Sequence, residues 1–243
     1  MAGAAVLGRL GWLVTEVTGT IEETPRVRTL LLDAHGWPGH RAGQHLDVRL
    51  TAEDGYQAER SYSVASATGE PLAITVERLV DGEVSPYLVD EAREGDGFEV
   101  RGPIGGYFVW EDDGRPLFLV GGGSGVVPLM AMIRSASGPT PIRLLYSSRT
   151  LEDVIYREEL GARSADKLEV FHTLTRAQPP GWTGYTRRID GELLREVAWP
   201  AAERPHVFVC GSTRFVDAAA DGLVALGYES LSIRTERFGA TGG

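Results

Sequence analysis

The chain changes rhythm about halfway along. From Trp12 to Arg101, apolar and polar positions alternate in short runs rich in Val, Ile and Thr. Successive strand residues point to opposite faces, so such alternation predicts half-buried strands. The runs are Trp12–Glu22, Val27–Asp33, Gln44–Leu50, Glu59–Ser66, Leu72–Arg78 and Phe98–Arg101. Gly and Pro clusters such as His35-Gly36-Trp37-Pro38-Gly39 mark turns between them. Closely spaced strands of this kind predict a barrel or a sandwich. One helix interrupts them, with Ser85 as its cap, Pro86 as its first residue and Tyr87–Arg93 as its body.

Beyond Pro116, short apolar runs alternate with longer amphipathic ones. Strands are expected at Leu117–Val120, Ile142–Tyr146, Leu168–Leu174, His206–Val209 and Leu231–Arg234. Helices are expected at Val126–Ser135, Tyr156–Arg163, Gly191–Val197 and Thr213–Leu226. That order implies a parallel sheet covered by helices on both faces. The charged turn Glu111-Asp112-Asp113-Gly114-Arg115-Pro116 separates the two rhythms, giving expected domains 1–112 and 113–243.

Composition narrows the choice of function. The net charge of −10 argues against a general nucleic-acid binder, which normally shows a basic face. It fits an acidic cytoplasmic protein and leaves room for local basic pockets. Cys210 is the only cysteine, so this sequence can form no internal disulfide and no four-cysteine iron–sulfur cluster. The five histidines are scattered outside any zinc-binding spacing, and no metal site is expected. Met1–Gly11 lacks the charged start and long apolar core of a signal peptide. No apolar run approaches the roughly 18–20 residues of a membrane span.

Four segments carry chemistry. In Arg60-Ser61-Tyr62-Ser63, strand geometry puts residues 60 and 62 on one face. An arginine fork suits a phosphate, a tyrosine suits a flat heteroaromatic ring, and the Ser63 hydroxyl could reach a ring nitrogen. Gly82-Glu83-Val84-Ser85 opens the first-half helix, where free N–H groups suit a pyrophosphate. Gly102-Pro103-Ile104-Gly105-Gly106 is expected to turn at the end of the last strand.

The third segment, Gly121 to Pro128, follows a strand and opens a helix, the setting of a dinucleotide-binding loop. Pro128 stands where the dehydrogenase fingerprint has its third glycine. The next strand ends in Ser147-Ser148-Arg149 rather than in the usual ribose-binding acid. The fourth, Cys210-Gly211-Ser212, lies between a strand and a helix, where open α/β sheets bind ligands.

Together and in this order, the segments resemble the ferredoxin–NADP reductase superfamily over roughly residues 12–240. Its flavin motif R-x-[YF]-[ST] is matched by Arg60 to Ser63, its loop G-x-G-x-x-P by Gly123 to Pro128, and its C-G motif by Cys210-Gly211. The resemblance implies an antiparallel β-barrel flavin domain followed by an α/β parallel-sheet nucleotide-binding domain. It implies FAD rather than FMN, bound by Arg60, Ser61, Tyr62, Ser63, Val76, Gly82, Val84 and Ser85. It places Ser63 by the flavin's hydride-accepting nitrogen and Cys210 beside the reacting nicotinamide carbon. Phe238 would cover the flavin, with Glu236, two residues before it, in the catalytic network. Gly123, Ser124, Gly125, Pro128, Ser148, Cys210 and Gly211 would line the nucleotide. Thr175-Arg176 would read the extra phosphate of NADP, joined by Arg149 and by Arg187 or Arg188.

The expected activity is therefore hydride transfer from NADPH to FAD, guided by Ser63, Cys210 and Glu236. Electrons would then pass to an external acceptor protein such as a ferredoxin, a flavodoxin or an oxygenase component. A reductase of free flavin is the rival enzymatic reading, and a non-catalytic flavin- or nucleotide-binding subunit is a third.

Overall fold

The computed structural model describes residues 10–164 and 167–238. The signal-peptide reading of residues 1–9 and the tail 239–243 lie outside the described residues.

The first half forms β1 (Leu13–Thr24), β2 (Val27–Ala34), β3 (His45–Thr51), β4 (Gln57–Ser63), β5 (Ala73–Glu77) and β6 (Gly97–Ile104). Their order is β4-β3-β6-β1-β2-β5, with antiparallel neighbours throughout. An antiparallel bridge from Val64 to Ile74 joins the two edges and closes the sheet into a barrel. Closure leaves fewer unpaired strand edges exposed. Val17, Leu30, Leu46, Val48, Ile74, Val76 and Val100 fill the interior, each with no exposed surface.

The second half gives β7 (Leu117–Gly122), α1 (Val126–Ser135), β8 (Ile142–Ser148), α2 (Arg157–Arg163), β9 (Leu168–Leu174), α3 (Gly191–Val197), β10 (His206–Gly211), α4 (Thr213–Ala225) and β11 (Ile233–Arg237). The parallel order is β11-β10-β7-β8-β9. The run of apolar residues in β7 reflects burial on both faces. Leu117 and Leu119 pack with α1, whereas Phe118 and Val120 pack with α3 and α4. The chain starts in the centre at β7, moves out to β9, then returns to β10 on the other side. The crevice beyond β7 and β10 is therefore the topological switch point, where such sheets bind ligands.

Three local expectations are corrected. The first-half helix is a single π turn, Tyr87–Glu91, with Pro86 at its N-cap. Ser85 does not cap it; the Ser85 Oγ accepts the Leu79 N–H at 3.1 Å. β6 runs on through Gly102-Pro103-Ile104, and the turn begins only at Gly105, whose φ is +98°. The last strand lies later than expected, at Ile233–Arg237, so Glu236 sits on a strand rather than beyond one.

The two halves touch at several points. The Tyr107 hydroxyl donates to the Ile233 carbonyl at 3.3 Å, and the Arg234 guanidinium to the Val109 carbonyl at 2.5 Å. Elsewhere Arg134 donates to the Ala65 carbonyl at 2.7 Å.

Candidate active site

Strand register builds the centre of the site. In the β3–β4 pair, Ser63 lies opposite His45. In the β10–β11 pair, Glu236 lies beside Cys210. The His45 Nδ1 stands 3.9 Å from the Glu236 Oε1 and links the two sheets. The predicted residues Ser63, Cys210 and Glu236 thus fall around one contact: Ser63 is the strand partner of His45, and Cys210 that of Glu236.

This neighbourhood is buried and short of hydrogen bonds. Among the described residues, the buried Ser63 Oγ and Glu236 Oε2 have no hydrogen-bond partner. Burial disfavours a carboxylate's charge and pushes the Glu236 carboxyl up to about 7. Burial also lowers His45, outweighing the nearby Asp47 carboxylate. Both shifts favour neutral side chains, so the 3.9 Å contact is not a strong ion pair at neutral pH. Cys210 has no exposed surface, and burial, with Glu236 beside it, holds its thiol well above the usual range. It is therefore a neutral S–H, not a thiolate nucleophile.

His45 was missed from sequence, where the histidines read as ordinary loop or surface residues. Only the β3–β4 register and the packing of β11 against the barrel bring it to Glu236. Its position in Gln44-His45-Leu46, at the head of a strand, was the available signal.

Arg60 and Tyr62 share one face of β4, as alternation requires. Tyr62 packs against the barrel core, and burial raises its phenol well above the usual range. Arg60 donates to the Glu59 carbonyl at 2.7 Å and to the Glu83 Oε2 at 2.6 Å. That ion pair draws Arg60 to the Gly82–Ser85 turn, as a shared phosphate site requires. Other predicted flavin contacts are otherwise engaged. Ser61 lies on the opposite face and donates to the Asp47 Oδ1 at 2.6 Å. Val76 and Val84 are core residues with no exposure, and the Ser85 hydroxyl is occupied by Leu79.

The nucleotide loop lies at the switch point. Gly123–Gly125 is a 3₁₀ turn leading into α1, with Pro128 buried in that helix's first turn. Gly125 must lack a side chain: a Cβ there would lie 2.3 Å from the Cys210 carbonyl oxygen. The third motif is thereby pressed against the fourth. Gly211 accepts the Phe238 N–H on its carbonyl at 2.9 Å, and Phe238 is partly buried against the core that includes Cys210.

At the far end of the sheet, Thr175 donates to the Ser148 carbonyl through both its N–H (3.0 Å) and its hydroxyl (3.2 Å). The Arg176 N–H donates to the Arg149 carbonyl at 2.9 Å. The Ser148 Oγ is buried without a partner. Arg149 and Arg176 are exposed and make no ion pair among the described residues. Arg187 differs: Glu192 at 3.0 Å and Glu196 at 2.7 Å hold its guanidinium, with Asp190 at 3.9 Å. Its charge is already answered by carboxylates, which weakens it as a phosphate reader.

These residues fit a flavin and a nicotinamide nucleotide meeting between the sheets. The buried Ser63 Oγ and Glu236 Oε2 lack polar partners that a flat heteroaromatic ligand could supply. A separate cleft, lined by Thr24, Ala73, Arg134 and Tyr156, contains none of the predicted site residues. Among the described residues, no group of three His, Cys, Asp or Glu side chains is arranged to hold a metal.

The fold and site define a two-domain oxidoreductase that binds FAD and a nicotinamide nucleotide. Residues 16–109 match the oxidoreductase FAD-binding domain family, and residues 119–221 the oxidoreductase NAD-binding domain family. Ferredoxin–NADP reductase B of Sorangium cellulosum is 33% identical over 208 residues, covering 81% of this chain and 84% of that protein. The chain belongs to the ferredoxin–NADP reductase superfamily. It is also 31% identical, over 93% of its length, to the ferredoxin reductase component of the Mycobacterium tuberculosis 3-ketosteroid-9-alpha-monooxygenase, and spans 65% of that protein. The flavohem-like FAD/NAD-binding domain of nitric oxide dioxygenase from Vibrio cholerae O1 biovar El Tor has the same fold. Its TM-score is 0.83 at 23% identity, over 95% of this chain and all of that one. No described helix is long and apolar enough to cross a membrane.

Proposed function

We propose that this chain is a cytoplasmic, NADPH-dependent FAD reductase that passes electrons to a separate redox protein. The observation that carries this reading is the approach of His45 to Glu236, which brings Ser63 on the barrel and Cys210 on the parallel sheet into one neighbourhood. Residues 1–112 would hold FAD and residues 113–243 the nucleotide. Bound FAD would supply the redox chemistry, accepting hydride from reduced nicotinamide and releasing single electrons, held by the residues below.

The protein's own residues position and shield. Arg60 binds a flavin phosphate, the backbone of Gly82–Ser85 lies beside it, and Tyr62 packs on the ring. Ser63 donates its free hydroxyl to a ring nitrogen. Gly123, Ser124 and Gly125 offer backbone N–H groups to the nucleotide, with Pro128 starting the supporting helix. Gly211 and the neutral Cys210 thiol border the nicotinamide. Phe238 covers the site and excludes water. Glu236, titrating near 7, can hold or release a proton at its unpaired Oε2. His45 sets the environment of the other oxygen. Thr175, Arg149 and Arg176 favour NADPH through its additional phosphate.

The relatives support an external protein acceptor. One is a monooxygenase's ferredoxin reductase component, and another is a glycine betaine monooxygenase reductase subunit of Pseudomonas aeruginosa. With one cysteine, this chain has no ligand set for a four-cysteine cluster of its own. A ferredoxin, a flavodoxin or an oxygenase component fits that role. The test supplies FAD and NADPH and compares ferredoxins, free FMN and cytochrome c as acceptors. Faster turnover with a protein acceptor is expected. Free FMN reduced at least as fast as every protein offered would overturn the electron-transfer role.

A further inference from the structure

The carboxylate of Glu83 stands in the subsite that the proposed function gives to the flavin's diphosphate. Its Oε2 takes the Arg60 guanidinium at 2.6 Å, and its Oε1 accepts the Tyr56 hydroxyl at 2.7 Å. The other terminal nitrogen of Arg60 is engaged with the Glu59 carbonyl. Both terminal nitrogens of Arg60 thus have acceptors within the protein.

The turn that carries Glu83 is closely specified. The Gly82 N–H donates to the Leu79 carbonyl at 3.1 Å, and the Leu79 N–H returns to the Ser85 Oγ at 3.1 Å. A Cβ on Gly82 would come within 2.7 Å of the Ser85 Oγ, so the turn accepts only glycine without rearranging. Val84, with no exposed surface, anchors it in the barrel core. The ion pair itself stays wet, with side chains 39% and 47% exposed, so an entering anion can reach it. Arg60 and Tyr56 both lower the pKa of Glu83, keeping it anionic at neutral pH.

We propose that Glu83 is an internal counter-anion of this subsite, pairing with Arg60 and competing with a diphosphate for it. The inference rests on the flavin reading of Arg60. A diphosphate that binds Arg60 must displace Glu83 or share the guanidinium with it, and either way two like charges come together. Glu83 therefore sets how tightly a diphosphate-bearing flavin is retained, and does nothing for a flavin that lacks phosphate.

The test is equilibrium binding of FAD and of riboflavin to the flavin-free protein, wild type against Glu83→Gln. Flavin fluorescence is the readout, at low and at high salt. Glu59→Gln is the control: it removes the same charge one residue from Arg60, on the face turned toward Arg49 and Arg101. Glu83→Gln should tighten FAD about three- to tenfold at low salt, less at high salt as screening grows, and leave riboflavin within about twofold. Glu59→Gln should leave FAD within about twofold. Unchanged or weaker FAD binding by Glu83→Gln, or an equal gain for riboflavin or in the control, would overturn the inference. Failure of the wild-type protein to bind any flavin would instead overturn the proposed function.

Discussion

Two neighbouring pairs on the same two strands behave in opposite ways. Asp47 and Ser61 face each other across β3 and β4, as do His45 and Ser63 one pleat further along. At the first pair every polar group is answered. Ser61 and Arg101 donate to Asp47 at 2.6 and 2.8 Å, and Arg49 reaches Glu99 at 2.6 Å. Arg49 and Arg101 also stack on the Trp12 ring at 4.1 and 4.5 Å. At the second pair, among the described residues, the Ser63 hydroxyl and one oxygen of the carboxylate next to His45 have no partner. Leaving a buried polar group unpaired costs about 1–3 kcal/mol. On these two strands, among the described residues, that cost falls at Ser63 and not at Ser61. The Asp47 pair is satisfied within the protein, whereas the Ser63 pair has a free hydroxyl that the proposed function gives to the flavin.

The largest expected effect sharpens this contrast through pH. Glu236 titrates near 4.5 when unfolded and near 7 when folded. The folded chain binds this proton more tightly, so the Glu236 contribution is most favourable below pH 4.5 and is lost as pH rises through 7. The cost of charging it is about 3 kcal/mol. Glu236→Gln should therefore gain up to about 3 kcal/mol over wild type at pH 8 and little at pH 4.5, read by urea denaturation. His45, lowered by burial, acts in the opposite sense below its ordinary range, so the difference between the two proteins is the quantity to compare. An equal effect of the substitution at both pH values would contradict the assignment.

Next comes Ser63→Ala, which removes the unpaired hydroxyl. It should slow flavin reduction by NADPH roughly ten- to a hundredfold, by stopped-flow absorbance, and raise the stability of the flavin-free protein by about 1–3 kcal/mol. Loss of stability with an unchanged rate would make Ser63 structural. Arg176→Ala should lower the NADPH-over-NADH preference in kcat/KM about tenfold, whereas Arg187→Ala, already paired with carboxylates, should change it less than twofold. The reverse ranking would exchange their roles. Asp47→Asn is the smallest change: it should cost about 1 kcal/mol or less in denaturation and leave the rate of flavin reduction intact.

Much of this was legible in the sequence because it depends on local pattern. Period-two alternation and turn residues revealed the six barrel strands. The β7–Gly loop–α1 unit was readable from its order of apolar run, glycines and helix. Arg60 and Tyr62 share a face because strands alternate. What depends on long-range register was not legible. His45 meets Glu236 only because β11 packs beside the barrel, and the strand bearing Glu236 was placed too early because Leu231 and Ser232 read as apolar-alternating. The Arg60–Glu83 ion pair was equally hidden, since Glu83 lies 23 residues away. Arg187 looked like a free phosphate reader until α3 brought Glu192 and Glu196 against it. Ser85 looked like a helix cap, but the π turn placed Pro86 at that position and left its hydroxyl to close the preceding turn.

The central claim is that flavin and nicotinamide meet at the unsatisfied end of β3 and β4. Anaerobic titration of the FAD-loaded protein with NADPH, followed by visible absorbance, tests it most directly. The account predicts that the flavin band bleaches at about one equivalent of NADPH. A protein that binds FAD but keeps it oxidised under excess NADPH and excess NADH would contradict it.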